Sequence, residues 1–233
     1  METRDSPFPP TEYERWCLSS LGRAYMSSVR EVLRDWIEAK TFTRAADIGC
    51  GPGITAEGLF PPEAWPLGVD CSLEMARRAR ARAREKGADG ASVVGKVQSL
   101  PFQDGSFDLV LCVNCLEFVE NREVALREIA RVLRTGGTAI LGVLNRRSVW
   151  ELTRRLRRPF TDRSYYRGRF FTAEELRRGL EEAGLEVLEM RTAVHFPPSP
   201  PGPFAGLYRR LDGAAGGLRS RAGGVLLARG RRR

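Results

Sequence analysis

The run from Arg44 to Gly53, RAADIGCGPG, limits what this 233-residue chain can fold into more than any other stretch. It predicts a short apolar strand running into a tight glycine turn, then a helix starting near Ile54. Gly49, Gly51 and Gly53 alternate, so the backbone can take positive φ and a ligand can lie against it without meeting a Cβ. Asp47 stands two residues before the first glycine, at the carboxyl end of the strand. Ligands bind at that edge in open α/β sheets.

The spacing narrows the ligand. A dinucleotide fingerprint needs G-x-G-x-x-G with a pyrophosphate on the following helix. Here Gly53 comes one residue early and Ile54 holds its place. A carboxylate at Asp47 repels a diphosphate and attracts a cation, which favours a positively charged, phosphate-free nucleoside. S-adenosylmethionine fits, with its ammonium and sulfonium. At this motif the sequence resembles the class I S-adenosylmethionine-dependent methyltransferases, whose first motif reads hydrophobic-Asp-x-Gly-x-Gly-x-Gly.

Composition bounds the setting. The length suits one α/β domain. Met1 to Pro10 holds no apolar signal segment, and no apolar run approaches the roughly 18 residues of a membrane span. Cys17, Cys50, Cys71, Cys112 and Cys115 are scattered, which reads as reduced thiols in a cytoplasmic chain and not as a disulfide framework. Net charge is +9, carried almost wholly by Arg, since Lys occurs only at 40, 86 and 96.

Apolar spacing predicts two helices over residues 11–40, broken at Gly22 and forming an N-terminal cap. Tyr13 and Trp16 precede the glycine loop. The pattern from Tyr13 to Tyr25 resembles methyltransferases related to those of ubiquinone and menaquinone biosynthesis, a resemblance that makes both residues candidates for covering the cofactor. A short helix over 54–59 is expected to close at Pro61-Pro62. A second strand, 67–70, ends in Asp70, with Cys71 beside it and Ser72 as N-cap of a helix to about Lys86. An acid there, roughly 20 residues past the glycine turn, is placed to accept from ribose hydroxyls. Ser92 to Val94 is a weak third strand.

Leu100 to Asp108, LPFQDGSFD, resembles a signature of one methyltransferase subfamily, with Asp104, Ser106 and Asp108 read as turn and strand-entry residues. The apolar run that follows is a buried fourth strand. The resemblance implies an acid after strand three that binds the adenine amino group. This chain has Lys96 in that place, and Lys carries no acceptor. The Gln98 carbonyl and the Val97 N–H are left for the adenine. Asn114 to Glu117 follows strand four at the lip of the expected site, and Glu117 is the candidate for a general base. The Asn/Asp-Pro-Pro-aromatic run of nucleobase amino-methyltransferases is absent there. Cys112-x-x-Cys115 has no second pair and the single His195 is remote, so no metal is expected.

A helix over 123–133 ends at Gly136-Gly137 and leads to a fifth strand, 138–144. Thr172 and Glu175 form a capping box, and 185–194 and 224–228 read as the last strands. Strand and helix alternate, implying a mainly parallel sheet covered on both faces. The resemblance makes it a Rossmann-like α/β fold of seven strands with one antiparallel strand near the edge. The whole chain, 1–233, reads as a single methyltransferase domain: a cap (11–40), a cofactor-binding core (41–145) and substrate-side segments with the last strands (146–233).

Two stretches stand outside that core. Asn145 to Phe170 carries nine arginines against Glu151 and Asp162, interleaved with aromatics. It is expected to present exposed arginines that close over or dock the methyl acceptor, and the mixture suits an acidic small molecule, an anionic membrane surface or RNA. Phe196 to Leu218 is Pro-rich and then amphipathic (Phe204, Leu207, Tyr208, Leu211), suited to walling a pocket or joining a homodimer. The sequence thus points to methyl transfer from S-adenosylmethionine to a small organic acceptor. The alternatives are a non-catalytic S-adenosylmethionine-binding protein, motivated by Lys96, and an RNA methyltransferase, motivated by the arginines.

Overall fold

The computed structural model describes residues 9–38, 42–157, 168–198 and 222–233. Its seven strands are β1 (Ala45–Ile48), β2 (Leu67–Asp70), β3 (Ser92–Val94), β4 (Phe107–Val113), β5 (Leu133–Leu144), β6 (Leu185–Ala193) and β7 (Val225–Arg232). They form one sheet in the order β3-β2-β1-β4-β5-β7-β6, in which β7 alone runs antiparallel to its neighbours. The helices are α1 (Pro10–Leu18), α2 (Ser20–Glu38), α3 (Leu73–Glu85), α4 (Arg122–Val132), α5 (Val149–Arg157) and α6 (Ala173–Glu182).

The alternation of β4 sorts the core into two layers. Leu109, Leu111 and Val113 face Tyr25, Val29, Leu33 and Trp36 of α2, while Val110 and Cys112 face Leu126 and Ile129 of α4 and Leu176 and Leu180 of α6. Every residue of β4 is buried, as a central parallel strand requires. The LPFQDGSFD segment braces this strand. Arg131 of α4 donates to the carbonyls of Phe102 (2.8 Å) and Leu100 (3.1 Å) and to Asp104 (2.8 Å). Asp108 accepts from the N–H (3.0 Å) and hydroxyl (2.7 Å) of Thr43 and from the Arg44 N–H (3.0 Å). These acids hold the entry to the strand. The capping box also forms, with Thr172 Oγ1 accepting from Glu175 N (3.2 Å) and Glu175 accepting from Thr172 N (2.8 Å).

The structure departs from the sequence reading in four places. The first two helices break at Ser19, whose extended backbone (ψ 162°) turns the chain; its hydroxyl donates to Trp16 O (2.6 Å) and accepts from Gly22 N (3.1 Å). Residues 54–59 form turns instead of a helix. Gly53 and Gly58, both at φ 77°, leave too few residues between them for helical turns, and remote arginines take the free carbonyls: Arg30 donates to Ile54 O and Arg82 to Pro52 O (2.9 Å). β5 begins at Leu133, before the Gly136-Gly137 pair, because Leu133 already pairs with Phe107. β7 runs on to Arg232, paired on both sides.

Gly22 lies in the first turn of α2, where a Cβ would sit 2.0 Å from Trp16 O and 2.8 Å from Cys17 Cα. Helix propensity alone says that Gly22→Ala should stabilise by about 1 kcal/mol. The clash is with backbone, so we expect a net loss of about 1–3 kcal/mol, roughly 2–4 °C of Tm per kcal/mol for a chain this size. A thermal melt of the variant at or above wild type would show that α1 and α2 cross less closely.

Candidate functional site

The carboxyl ends of β1 to β4 surround a cavity of about 380 Å³. Strand order reverses between β1 and β4, the switch point at which open α/β sheets bind ligands. The loop after β1 lines the cavity with Gly49, Cys50 and Gly51, and the end of β2 with Asp70 and Cys71. Residues 95–98 line it after β3. Residues 113–115 and the 3-10 turn after β4 line the far end, and Tyr13 of α1 lies over the loop.

The three loop glycines do different work at φ 70°, 52° and 77°. A Cβ on Gly49 would strike Cys115 Sγ at 2.5 Å, and one on Gly53 would crowd Ala79 Cα of α3 at 3.2 Å. One on Gly51 would meet only Tyr13 Cε1, at 3.7 Å. Gly51 is therefore the position that keeps the backbone open to a ligand. Asp70 fixes the loop: its carboxylate accepts from Gly51 N (2.9 Å) and Ser72 N (2.9 Å). Burial nevertheless raises its pKa above the ordinary carboxylate range, against the opposing pull of those amides. Asp47 lies beneath the loop, 2% exposed, and its Oδ2 has no hydrogen-bond partner. Burial, and then repulsion from Asp70, push its carboxyl up to about 7.

Asn114 closes β4 in the left-handed region (φ 54°), a conformation that Asn tolerates better than most side chains. Its N–H donates to Gly142 O (2.8 Å) and its Oδ1 accepts from Tyr25 OH (2.8 Å). The amide is thus oriented from two sides at the cavity wall. Helix α1 is clasped onto α3 by Glu14, which pairs with Arg78 and with Arg82 (3.1 Å). Arg82 also pairs with Glu57 (3.2 Å), so one guanidinium ties together α1, α3, the glycine loop and the turn after it.

Of the residues singled out in the sequence, Tyr13, Gly49, Cys50, Gly51, Asp70, Cys71, Val97, Gln98 and Asn114 converge on the cavity. Four do not line it. Gly53 packs on α3, and Asp47 sits one layer below. Trp16 turns toward Tyr25, with ring centroids 5.3 Å apart. Glu117, the candidate base, is 2% exposed; its Oε1 accepts from Leu144 N (2.5 Å) and its carbonyl from Arg169 N (2.9 Å). Burial raises the Glu117 carboxyl to about 7, and its Oε2 has no hydrogen-bond partner; the side chain sits behind the cavity wall, where its Oε1 ties the turn after β4 to β5. Sequence reasoning gave no role of their own to Tyr25, which orients Asn114, or to Glu120, which lines the cavity.

In the arginine-rich stretch the described arginines differ in burial. Arg154 is buried, paired with Glu151 (2.5 Å), and lies 4.6 Å over the Phe170 ring. Arg155 also pairs with Glu151 (2.7 Å), and Arg146 pairs with Glu175 (2.6 Å). Each of these three guanidinium groups is engaged by a carboxylate on the same helix or on α6, but only Arg154 is buried: the Arg155 side chain stays 63% exposed, and Arg147 and Arg169 are exposed. Residues 158–167 of that stretch, and 199–221 with Phe204, Leu207, Tyr208 and Leu211, lie outside the described residues.

The seven-stranded order with an antiparallel seventh strand, and a ligand cavity at its switch point, define a Rossmann-like methyltransferase fold. An unpartnered buried carboxylate under an open glycine turn fits a cationic nucleoside. Comparison with known proteins agrees: residues 46–141 match the methyltransferase domain family. The chain is 32% identical over 217 residues to an uncharacterized protein of Mycobacterium tuberculosis, covering 93% of this chain and 70% of that one. It is 30% identical over 186 residues to the ubiquinone biosynthesis O-methyltransferase of Aeromonas salmonicida, covering 74% and 76%. A solved structure from Thermotoga maritima, a SAM-dependent methyltransferase described as a possible histamine N-methyltransferase, superposes with a TM-score of 0.68 at 28% identity, covering 96% and 95%. The chain belongs to the S-adenosylmethionine-dependent methyltransferases, and S-adenosylmethionine is its cofactor. Among the described residues no helix is long and apolar enough to cross a membrane.

Two predictions follow from this electrostatic arrangement. In the free protein Asp47 holds a proton up to about pH 7, whereas an adjacent ammonium favours the ionised form. Cofactor binding should therefore release a proton near pH 7, and affinity should fall about tenfold per pH unit below it. The same raised value means that the unliganded fold loses stability as pH climbs from the ordinary carboxylate range to about 7. Calorimetry in buffers of different ionisation enthalpy reads the proton directly; a flat profile, or one that Asp47→Asn leaves intact, would remove Asp47 from the cofactor's surroundings. Asp70→Ala should weaken S-adenosylmethionine binding by roughly 1.5–3 kcal/mol, as for bonds to a charged group. Unchanged affinity would show that Asp70 serves the loop alone.

Proposed function

We propose that this methyltransferase modifies a small organic acceptor that enters the cavity from its β4 end. The observation that carries the reading is the character of that end: Val113, Cys115, Phe118 and Val119 line it beside Asn114 and Glu120, so the surface that would face the acceptor is mostly apolar. Asn114, held by Tyr25, is the oriented polar group among them. The Asp47 loop would hold the methionine part of the cofactor, Asp70 the ribose, and Val97 with Gln98 the adenine. Bound there, S-adenosylmethionine supplies an activated methyl on a sulfonium. The chain's own contribution is then proximity and in-line orientation, with Tyr13 keeping water from the loop side. The names of the relatives from Aeromonas salmonicida and Thermotoga maritima point to small organic acceptors for those proteins, which supports the same class here.

The RNA reading has less behind it. It rests on the arginine run, of which Arg154 is buried and Arg146, Arg154 and Arg155 are engaged by carboxylates, while Arg147 and Arg169 are exposed. Incubation with S-adenosylmethionine carrying a labelled methyl, against a panel of phenols, quinols, amines and carboxylic acids and against total RNA, separates the readings. Label is expected in a small molecule and not in RNA. Label in RNA alone, or none anywhere despite tight cofactor binding, would overturn the proposal.

A further inference from the structure

Helix α5 has two unlike faces. Inward, Trp150 is 5% exposed and Glu151 3%; Trp150 packs against Tyr25 and Phe196 with ring centroids 5.5 Å and 6.4 Å apart, and its indole N–H donates to Phe196 O (2.7 Å). Outward, Val149, Leu152 and Leu156 are 52%, 58% and 66% exposed. Their spacing puts them in one stripe down the helix. Arg147 precedes the stripe and is exposed, and the Arg155 side chain beside it is 63% exposed. The one acid of the helix, Glu151, is turned inward and bound by Arg154 and Arg155, so the outer face presents no carboxylate. In sequence Arg157 and Arg158 come next, with Arg163, Arg167 and Arg169 beyond, against Asp162 alone.

We propose that the outer face of α5 seats the protein on anionic lipid bilayers. An aliphatic stripe bordered by arginine, on a helix whose other face is anchored in the protein, has the chemistry of an interfacial helix: the aliphatic side chains enter the acyl boundary while Arg147, and Arg155 with the donors that Glu151 leaves free, meet lipid phosphates. The stripe is short, so the attachment is weak, reversible and dependent on both components. Its position gives it a use. Helix α5 follows β5 and so leaves the sheet at the carboxyl edge where the cavity opens. Attachment through α5 holds that edge near the lipid surface, within reach of acceptors that partition there.

The test is co-sedimentation of the whole chain with vesicles of equimolar phosphatidylglycerol and phosphatidylcholine, and with pure phosphatidylcholine. Wild type is expected to bind the anionic vesicles, to bind the neutral ones far less, and to be largely released at about 0.5 M salt, where the Debye length falls to a few Å. Leu152→Glu with Leu156→Glu should lower the partition coefficient roughly tenfold or more while leaving Tm and S-adenosylmethionine binding as in wild type, since neither side chain is buried. Arg147→Gln should narrow the preference for anionic over neutral vesicles. Failure of the wild type to bind anionic vesicles would overturn the proposal, as would equal binding by the double glutamate variant. A wild-type dimer in sedimentation that the double variant dissociates, without vesicle binding by either, would reassign the stripe to a contact between two copies of the chain.

Discussion

The carboxylate of Asp70 bonds two backbone amides, Gly51 N and Ser72 N, and through them the end of β2 sets the shape of the cavity floor. One amide belongs to the glycine turn after β1; the other starts the residue that caps α3, whose hydroxyl in turn accepts from Met75 N (3.3 Å). The turn, the neighbouring strand and the helix that follows it are thus registered by a single buried side chain. That registration keeps Gly51 facing open space and leaves Asp47 below it without a partner. A site arranged this way spends part of its electrostatic strain in the unliganded state, and a cation entering the cavity relieves it.

Much of this is legible in the sequence. The continuous apolar run of β4 could only be a buried strand. The Thr172–Glu175 box and the Ser72 cap start helices by rules that act within a few residues. Three alternating glycines after Asp47 located the site, because the need for positive φ and for absent Cβ atoms is local. What the sequence hid depends on neighbours far along the chain. Ser19 ended a helix that Gly22 was expected to break, since Gly22 is required by the approach of α1. The segment after Gly53 stays non-helical because Arg30 and Arg82 satisfy its carbonyls. Nor does the sequence show that Glu117 is buried behind the cavity wall, where Leu144 N reaches one of its oxygens from β5.

The abundance of arginine also has a structural side. Arg131 satisfies two loop carbonyls and two acids, Asp104 and Glu128 (2.7 Å). Arg82 joins four elements, and Arg229 reaches Glu189 (3.2 Å) across two strands. Five donors in a planar fork allow one residue to finish several unpaired groups at once, which the point charge of lysine does less well. Counting arginines by segment therefore overstates how much positive charge a surface displays, as Arg154 illustrates.

Strand β7 lies between β5 and β6 but follows both in sequence. Among the described strands β6 pairs with nothing else, so during synthesis it has no sheet to join until residues 225–232 emerge. The half of the sheet carrying the cofactor loop is built from earlier, parallel neighbours and can assemble first. The order of translation therefore separates a nucleoside-holding half from a half that closes late, and in the interval β5 stands as an open edge. An unpaired edge of that kind is where a nascent chain is most exposed to pairing with another copy, which makes prompt arrival of the seventh strand a condition for clean folding of the whole.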